Sequence, residues 1–352
     1  MQLLVFANTV HAAHCGRHEM YRGRLVPCHE VPARMDNVLA EFASRALGES
    51  RSPAPVSRSL LERVHSPRYL KFLELAWAEW AALCPDNQDT DALPSVWPVR
   101  GFRHDIEPAN FAARLGLYSF DAGTPLTSGT WVAAERGAAC AAAAAGALLG
   151  PSAPRATMAL TRPPGHHAGW DFLGGYCFIN NGAVAAQVLL DQGARRVAIL
   201  DVDYHHGNGT QSLFYDRSDV LTVSIHGDPR TEYPFFLGHA DERGAGGGEG
   251  FNLNLPLPAG TDFTVWRRAL MTALQTVSDY GPDALVVALG VDTFEGDPIS
   301  RFTLSSEDYL RVGRDLASLG LPAIFTLEGG YAVAAMGINV ANVLDGFCSV
   351  GA

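Results

Sequence analysis

Five short apolar runs recur along the second half of the chain, and each is almost continuously hydrophobic. Their positions are 156–160, 196–200, 219–225, 283–289 and 323–327. Unbroken apolar runs this short are typical of strands that are buried on both faces of a parallel sheet. Longer segments of helical character separate them, at 181–192, 262–280 and 305–320. This alternation predicts an α/β fold with helices on both faces of one sheet.

The first 150 residues are less regular. The N-terminal stretch MQLLVFANTVHAAHC predicts an opening strand, because it lacks the basic n-region of a signal peptide and its apolar run is too short for one. The alanine-rich segment 137–150 falls short of the ~20 residues that a bilayer span requires, so it predicts a buried helix. Residues 84–125 are rich in Pro, Asp and aromatic residues without clear periodicity, which favours a functional or partner-binding loop.

Composition narrows the class of protein. A chain of 352 residues suits one large α/β domain spanning residues 1–352. The six cysteines form no CxxC pair, which disfavours a cysteine-based zinc site and predicts free, buried thiols in the reducing cytoplasm. The net charge of −11, without any cluster of Lys or Arg, argues against a nucleic-acid partner and suits a cationic substrate. No segment predicts a membrane partner.

Unusual polar residues follow five of the predicted strands. They are His166 and His167 after 156–160, Asp201, Asp203 and His205 after 196–200, Ser224 and His226 at the end of 219–225, Asp292 after 283–289, and Glu328 to Tyr331 after 323–327. The carboxyl ends of parallel strands meet at one edge of a sheet, where open α/β folds bind their ligands. Structural polar residues would scatter to both ends of the strands. The convergence therefore predicts a functional site at this edge.

Asp203, His205 and the distant Asp292 form a candidate metal site. Asp201, Asp203 and His205 alternate along an extended segment, so their side chains can face one side. Three protein ligands leave positions open for water and a substrate carbonyl, as in catalytic zinc sites. The oxygen-rich set also suits iron(II), cobalt or manganese. Taken alone, the segment has an alternative interpretation, an N-capping aspartate beside hydrogen-bonded histidines in a turn.

The histidine pair and a tyrosine supply the remaining candidate chemistry. Beside a metal, one imidazole of His166 and His167 could take a proton from water, and either could protonate a leaving amine. Tyr331, on the turn EGGY, could donate to a developing oxyanion. The chain contains no GxxxxGK[ST], HExxH or GxSxG motif, so phosphate-loop, zincin and serine-hydrolase chemistry is unsupported.

The segments RPPGHHA, GGYCFINNGAVAA, ILDVDYHHGNGTQ, VSIHGDP, LGVDTFEGDP and EGGY together resemble the metal-dependent histone deacetylase superfamily. Within it, the stretch SIHGDPRTEYPFFLGHADERG and the long insertion at 84–125 are similar to bacterial acetylpolyamine amidohydrolases. The resemblance runs from residue 27 to Tyr331. It implies the arginase–deacetylase fold, a single domain with a mainly parallel eight-stranded sheet. It also implies hydrolysis of N-acetylated amines to free amine and acetate.

The resemblance implies roles for individual residues. Asp203, His205 and Asp292 would bind zinc, and iron(II) or cobalt could replace it. His167 would be the general base beside the catalytic water, with Asp201 hydrogen-bonded to His166, and Tyr331 would polarise the acetyl carbonyl. Many class I relatives carry an acid at the position of Asn208. A neutral partner should leave His167 readily neutral and able to act as a base.

Other positions follow from the same resemblance. Gly175, Tyr176 and Tyr233 would line the substrate tunnel, and Arg34 would lie in an internal channel for acetate. Two structural K⁺ or Na⁺ ions would be held, one by Asp201, Asp203, His205, Ser224 and Ile225, and the other by the carbonyls of Phe214, Arg217, Val220 and Phe251.

Substrate and assembly are further expectations from this resemblance. In the amidohydrolases that the chain resembles, the insertion helps to form a homodimer that narrows the tunnel, which favours small cationic acetylated amines over proteins. The loop acids Asp105, Glu107 and Asp121 could attract the distal ammonium group, but each could equally be a solvated loop charge. The alternatives are a deacetylase acting on acetyl-lysine peptides or proteins, a non-catalytic binder of acetylated amines, and an arginase-like ureohydrolase with two manganese ions. A ureohydrolase of this kind would need two full sets of metal ligands, and the sequence presents only one full set.

Overall fold

The computed structural model describes residues 3–150 and 153–350, and its centre is one parallel sheet of eight strands. The strands in chain order are β1 (Leu3–Ala7), β2 (His18–Tyr21), β3 (Arg24–Pro27), β4 (Glu49–Arg51), β5 (Ala156–Leu160), β6 (Val197–Asp201), β7 (Val220–Gly227), β8 (Asn252–Leu257), β9 (Ala284–Leu289) and β10 (Ala323–Leu327). The large sheet has the order β4-β1-β5-β10-β9-β6-β7-β8, and every neighbouring pair is parallel. Strands β2 and β3 form a separate antiparallel hairpin. The predicted eight-stranded α/β fold is confirmed.

Ten α-helices connect and cover these strands in the described part of the chain. They are α1 (Ala33–Ser44), α2 (Arg58–Leu61), α3 (Pro67–Leu83), α4 (Phe111–Leu117), α5 (Thr130–Gly146), α6 (Asn181–Asp191), α7 (Asn208–Phe214), α8 (Phe263–Tyr280), α9 (Ser306–Ala317) and α10 (Val333–Ser349). Local sequence sets several of their ends. Asp262 caps α8 by accepting from the Val265 N–H at 2.9 Å, and Gly281 ends the helix in the left-handed region. Ser305 and Asp308 form the predicted capping box of α9.

Helices lie on both faces of the sheet and form two apolar layers. Helices α1, α8, α9 and α10 pack on one face, and α3, α4, α5 and α6 pack on the other. Strand β9 contributes to both, with Leu285 and Val287 in the first layer and Ala284 and Val286 in the second. Because both faces of the strand are covered, its sequence is apolar throughout. Burial of each Leu or Val of this kind contributes ~1.5–3 kcal/mol relative to exposure.

The N-terminal part differs from the sequence prediction in detail. The alanine-rich segment is a buried helix as predicted, but α5 begins earlier, at Thr130. Residues 84–125 contain α4 and a short 3₁₀ helix, Pro85–Asp89, within otherwise irregular chain. All six cysteines are free, yet Cys15 and Cys84 are exposed, so the prediction that the thiols are buried is wrong for these two. Both lie outside the packed strands and helices, where apolar layers do not cover them.

None of the helices in the described chain is both long enough and apolar enough to cross a bilayer.

Five adjacent strands, β5-β10-β9-β6-β7, bring the predicted polar residues to one edge of the sheet. The carboxyl ends of these strands lead into the segments that carry the histidines, the aspartates and the EGGY turn, as predicted. One detail differs, because β7 continues to Gly227 and so includes Ser224 and His226. Ser224 is the register partner of Asp201 on the neighbouring strand β6. The strand order therefore brings the polar residues of these five strands next to one another along one edge of the sheet.

Candidate active site

Asp203, His205 and Asp292 converge beyond the ends of β6 and β9. All three are buried, and one ligand atom from each lies within 4.8 Å of the others. His205 Nδ1 lies 2.9 Å from Asp292 Oδ2 and 3.4 Å from Asp203 Oδ1. Ligands bonded to a tetrahedral ion at about 2.0–2.1 Å lie roughly 3.3 Å apart. The spacing of this triad therefore fits a divalent metal such as zinc.

The electrostatics of the triad also favour a cation. Burial, together with the charge of Asp203, raises the pKa of Asp292 to about 7, because two buried carboxylates this close repel each other. Burial alone would lower the pKa of His205, but the two acids outweigh it and raise that pKa to about 10. A cation held among them would relieve the repulsion. The donor atoms, the burial and the negative charge of the triad therefore all favour a bound cation.

The two histidines of the pair have different partners. Nδ1 of His166 lies 2.8 Å from Asp201 Oδ2, and against the effect of burial the nearby carboxylates raise the pKa of His166 to about 10. Nδ1 of His167 donates to Asn208 Oδ1 at 2.7 Å, which leaves the lone pair on Nε2. Burial and the neighbouring imidazoles hold the pKa of His167 well below its ordinary value. The His167 ring is therefore neutral at pH 7.

Tyr331 lies on the turn that follows β10, on the wall of the same site. Burial holds the pKa of its phenol well above the ordinary value, so the hydroxyl stays protonated and can donate. Its own N–H donates to Asp297 Oδ2 at 2.7 Å. In the same turn the Gly329 N–H donates to Asp203 Oδ2 at 2.7 Å, and a Cβ at this position would lie 2.5 Å from that oxygen. The EGGY turn thus needs glycine there, because its backbone approaches a triad carboxylate closely.

A cavity of about 360 Å³ is bounded by His167, His205 and Tyr331. The aromatic part of its wall consists of Tyr21, Phe120, Tyr176, Tyr233, Phe235 and Phe236. The three residues predicted to line a substrate tunnel, Gly175, Tyr176 and Tyr233, are all on this wall.

Close packing makes the inner part of this cavity narrow. Gly175 has φ +55°, and a Cβ there would lie 2.1 Å from Cδ2 of His167, so glycine is the residue that fits. The ring of Tyr176 meets Tyr331 edge-on at 5.6 Å, and Tyr233 meets His167 edge-on at 5.1 Å. Aromatic rings therefore frame an apolar path to the histidine and the tyrosine hydroxyl.

Of the three predicted loop acids, one lies on the cavity wall. The carboxylate of Asp121 accepts from the Gly175 N–H and the Tyr233 hydroxyl, both at 2.6 Å. Asp105 instead pairs with a neighbouring arginine at the surface, and Glu107 accepts from a tyrosine hydroxyl. Neither of these two acids borders the cavity.

Arg34 is buried behind Tyr331, with its guanidinium carbon 4.8 Å from the centre of the tyrosine ring. Its Nε donates to the Gly330 carbonyl at 2.6 Å and its Nη2 to the Glu328 carbonyl at 2.5 Å. Nη1 forms an ion pair with Glu30 at 2.8 Å. Arg34 therefore supports the turn that carries Tyr331, and its part in an acetate channel stays a prediction.

Two of the residues predicted to hold a monovalent cation, Asp201 and Ser224, are register partners on neighbouring strands. Asp201 and Ser224 both border a second cavity of about 10 Å³. The Phe214 carbonyl accepts from the Arg217 N–H, and the Phe251 carbonyl accepts from a backbone N–H of β7. A carbonyl oxygen has two lone pairs, so accepting one hydrogen bond does not exclude binding a cation. Both cation sites stay predictions.

Sequence reasoning missed two acids of the cavity wall, Glu19 and Glu232. Glu19 lies on β2 and accepts from the Tyr176 hydroxyl at 2.8 Å, and Glu232 follows β7 and is 2% exposed. Neither residue belongs to a strand end of the large sheet or to a periodic pattern. The available signal for Glu232 was its place beside Tyr233, a predicted tunnel residue.

Comparisons with known proteins agree with this geometry. The profile of the histone deacetylase domain matches residues 28–347. Acetylpolyamine amidohydrolase 2 of Pseudomonas aeruginosa is 52% identical over 345 residues, which cover 98% of each chain. Acetylpolyamine amidohydrolase of Mycoplana ramosa is 46% identical over 336 residues, covering 96% of this chain and 97% of the relative. The crystal structure of acetylpolyamine aminohydrolase from Burkholderia pseudomallei matches with a TM-score of 0.93 and 37% identity, over 99% of each chain.

Proposed function

Because the chain belongs to the histone deacetylase family and is a hydrolytic deacetylase, we propose that its substrates are acetylpolyamines such as acetylputrescine and acetylcadaverine. The products are the free amine and acetate. Support comes from identities of 46% and 52% over nearly the whole chain to proteins named for this activity. Six free cysteines suit a reducing compartment, so we place the enzyme in the cytoplasm.

The observation that carries the proposal is the small acidic cavity beside His167 and Tyr331. Three carboxylates line it, those of Glu19, Asp121 and Glu232, against a single guanidinium. An excess of negative charge in a concave site attracts a cationic substrate. The aromatic wall suits the methylene chain of an acetylated diamine, because such sites bind ligands mainly through apolar contact and orient them by a few polar groups.

We assign Asp203, His205 and Asp292 as the ligands of a divalent metal, zinc first, with iron(II) or cobalt as alternatives. The chemistry supplied by such an ion is polarisation of the acetyl carbonyl and acidification of a water molecule. Structural K⁺ or Na⁺ near Asp201 and Ser224 remains part of the proposal.

The side chains of this protein carry the proton transfers. His167, neutral and with its Nε2 lone pair free, takes a proton from the attacking water. Asn208 fixes the tautomer by accepting from Nδ1, and adds no negative charge that would hold the proton on the ring. The Tyr331 hydroxyl donates a hydrogen bond to the developing oxyanion and keeps its proton. An imidazole of the pair then protonates the departing amine.

A substrate panel tests the proposed function. For enzyme reconstituted with zinc, we expect kcat/KM for N-acetylputrescine or N-acetylcadaverine to exceed that for an acetyl-lysine peptide by about tenfold or more. A difference of this size corresponds to ~1.4 kcal/mol of transition-state binding, comparable with one hydrogen bond to a charged group. Acetate release is the measurement, repeated with iron(II) and cobalt. A preference for the peptide would replace the proposed substrate class with acetyl-lysine.

We also propose a homodimer with the 84–125 segment at its interface. In this segment Val96, Val99, Phe102 and Ile106 are each more than half exposed, and apolar side chains of this kind mark interaction sites when they cluster. Sedimentation velocity should give about twice the chain mass of 37.6 kDa. Phe102→Asp should shift the enzyme toward monomer, whereas Leu25→Asp, at an exposed apolar position on β3, should not. A monomeric wild-type enzyme would contradict the proposal.

A further inference from the structure

Glu232 is a buried carboxylate without a hydrogen-bonded partner. The residue is 2% exposed and lies on the cavity wall. Its Oε1 is buried and forms no hydrogen bond with the described residues. Arg22 and Arg301 approach to 3.9 Å and 3.7 Å, which is ion-pair range but beyond a hydrogen bond. A buried carboxylate that lacks donors is unfavourable unless something supplies them.

The other two acids of the wall are already satisfied. Asp121 accepts from two backbone N–H groups and the Tyr233 hydroxyl. Glu19 accepts from the Tyr176 hydroxyl and from both the ring and the backbone of His29. These two carboxylates hold the wall together. Glu232 is the one of the three with a buried oxygen, Oε1, that accepts no hydrogen bond from the described residues.

We propose that Glu232 binds the distal ammonium group of the substrate while the acetyl group lies at His167 and Tyr331. This inference rests on the proposed function, because it needs a substrate with a second, cationic end. An ammonium group brings three donors to a carboxylate that lacks them, and charge-assisted bonds of this kind are the strong ones. The two arginines do not fill the role, because each side chain is about half exposed and exposed pairs contribute little.

Tyr204 offers a competing explanation for the placement of Glu232. Its buried hydroxyl lies next to the acid and also lacks a partner, and burial followed by the charge of Glu232 raises the pKa of the phenol. If Glu232 served only to accept from the Tyr204 hydroxyl, glutamine would replace it, because an amide oxygen can accept a hydrogen bond from a phenol as a carboxylate oxygen can. Glu232→Gln therefore removes the charge and keeps this structural alternative intact.

The test compares two substrates of the same length in Glu232→Gln and wild type. N-acetylcadaverine ends in an ammonium group, whereas N-hexylacetamide ends in a methyl group and presents the same amide. We expect kcat/KM for N-acetylcadaverine to fall by about 10- to 100-fold, the size of a lost hydrogen bond to a charged group. The loss should lie mainly in KM, because the ammonium group is remote from the reacting amide. For N-hexylacetamide, kcat/KM of Glu232→Gln should differ from that of wild type by less than about twofold.

Controls separate the possible failures. Asp241→Asn removes an exposed acid from the same loop, outside the cavity wall, and should affect neither substrate. Equal losses with both substrates in Glu232→Gln, or no loss with either, would overturn the assignment of Glu232. A wild-type enzyme that prefers an acetyl-lysine peptide would instead reject the proposed function. In another outcome, the wild-type enzyme cleaves N-acetylcadaverine efficiently and Glu232→Gln cleaves it equally well. That result would support the proposed function and reject only the role of Glu232.

Discussion

Replacement of His167 by alanine should lower kcat by about 10²- to 10⁴-fold, the usual contribution of a positioned general base. The neutral ring presents its Nε2 lone pair, because Nδ1 donates to Asn208. Alanine removes the base and its hydrogen bond. The triad of Asp203, His205 and Asp292 does not use the His167 side chain.

The measurement is steady-state acetate release together with bound metal and thermal unfolding of the purified variant. Metal content should match wild type, which distinguishes loss of the base from loss of the ion. His18→Ala, at an exposed histidine of β2 that does not line the cavity, is the matched control and should retain full activity. Full turnover by His167→Ala would reject its role as the base.

Replacement of Tyr331 by phenylalanine should lower kcat by about 10²- to 10³-fold, as expected for loss of one preorganised donor to an oxyanion. The substitution deletes one hydroxyl and keeps the ring. The packing of the ring against Arg34 and Tyr176 should therefore persist, and the fold with it. Since the donor acts on charge that develops in the transition state, kcat and kcat/KM should fall together while KM changes little.

Tyr215→Phe is the control for this experiment, because Tyr215 is a partly exposed tyrosine that does not line the cavity. It should leave both kinetic constants unchanged. A Tyr331→Phe variant whose KM rises while kcat is preserved would assign the tyrosine to substrate binding and remove it from the chemical step.

Two glycines explain why short motifs were informative at this site. A side chain at Gly329 would collide with an oxygen of Asp203, and one at Gly175 would collide with His167. The EGGY and GGY segments are therefore consequences of backbone passing close to catalytic side chains. Such constraints can be recognised in the sequence, because they require glycine at a single position.

The sequence by itself determined the five central strands of the sheet, β5, β6, β7, β9 and β10, and the edge at which their polar residues meet. Strands buried on both faces are read directly as continuous apolar runs, and a parallel sheet must bring their carboxyl ends to one edge. The contact of Asp203 and His205 with Asp292 also requires β6 and β9 to be neighbours, and the strand order supplies this. The pairing of His167 with Asn208 needed the family resemblance in addition, because 41 residues separate the two.

Tertiary structure alone decided how the substrate cavity is walled. Glu19, Asp121 and Glu232 come from a hairpin and two irregular loops more than 100 residues apart in the chain, and none belongs to a periodic pattern. Their different states, two satisfied carboxylates and one without donors, depend on which N–H and O–H groups packing brings near each. A charge in the sequence reveals neither its burial nor its partners, because both are set by contacts between segments that the local pattern does not relate.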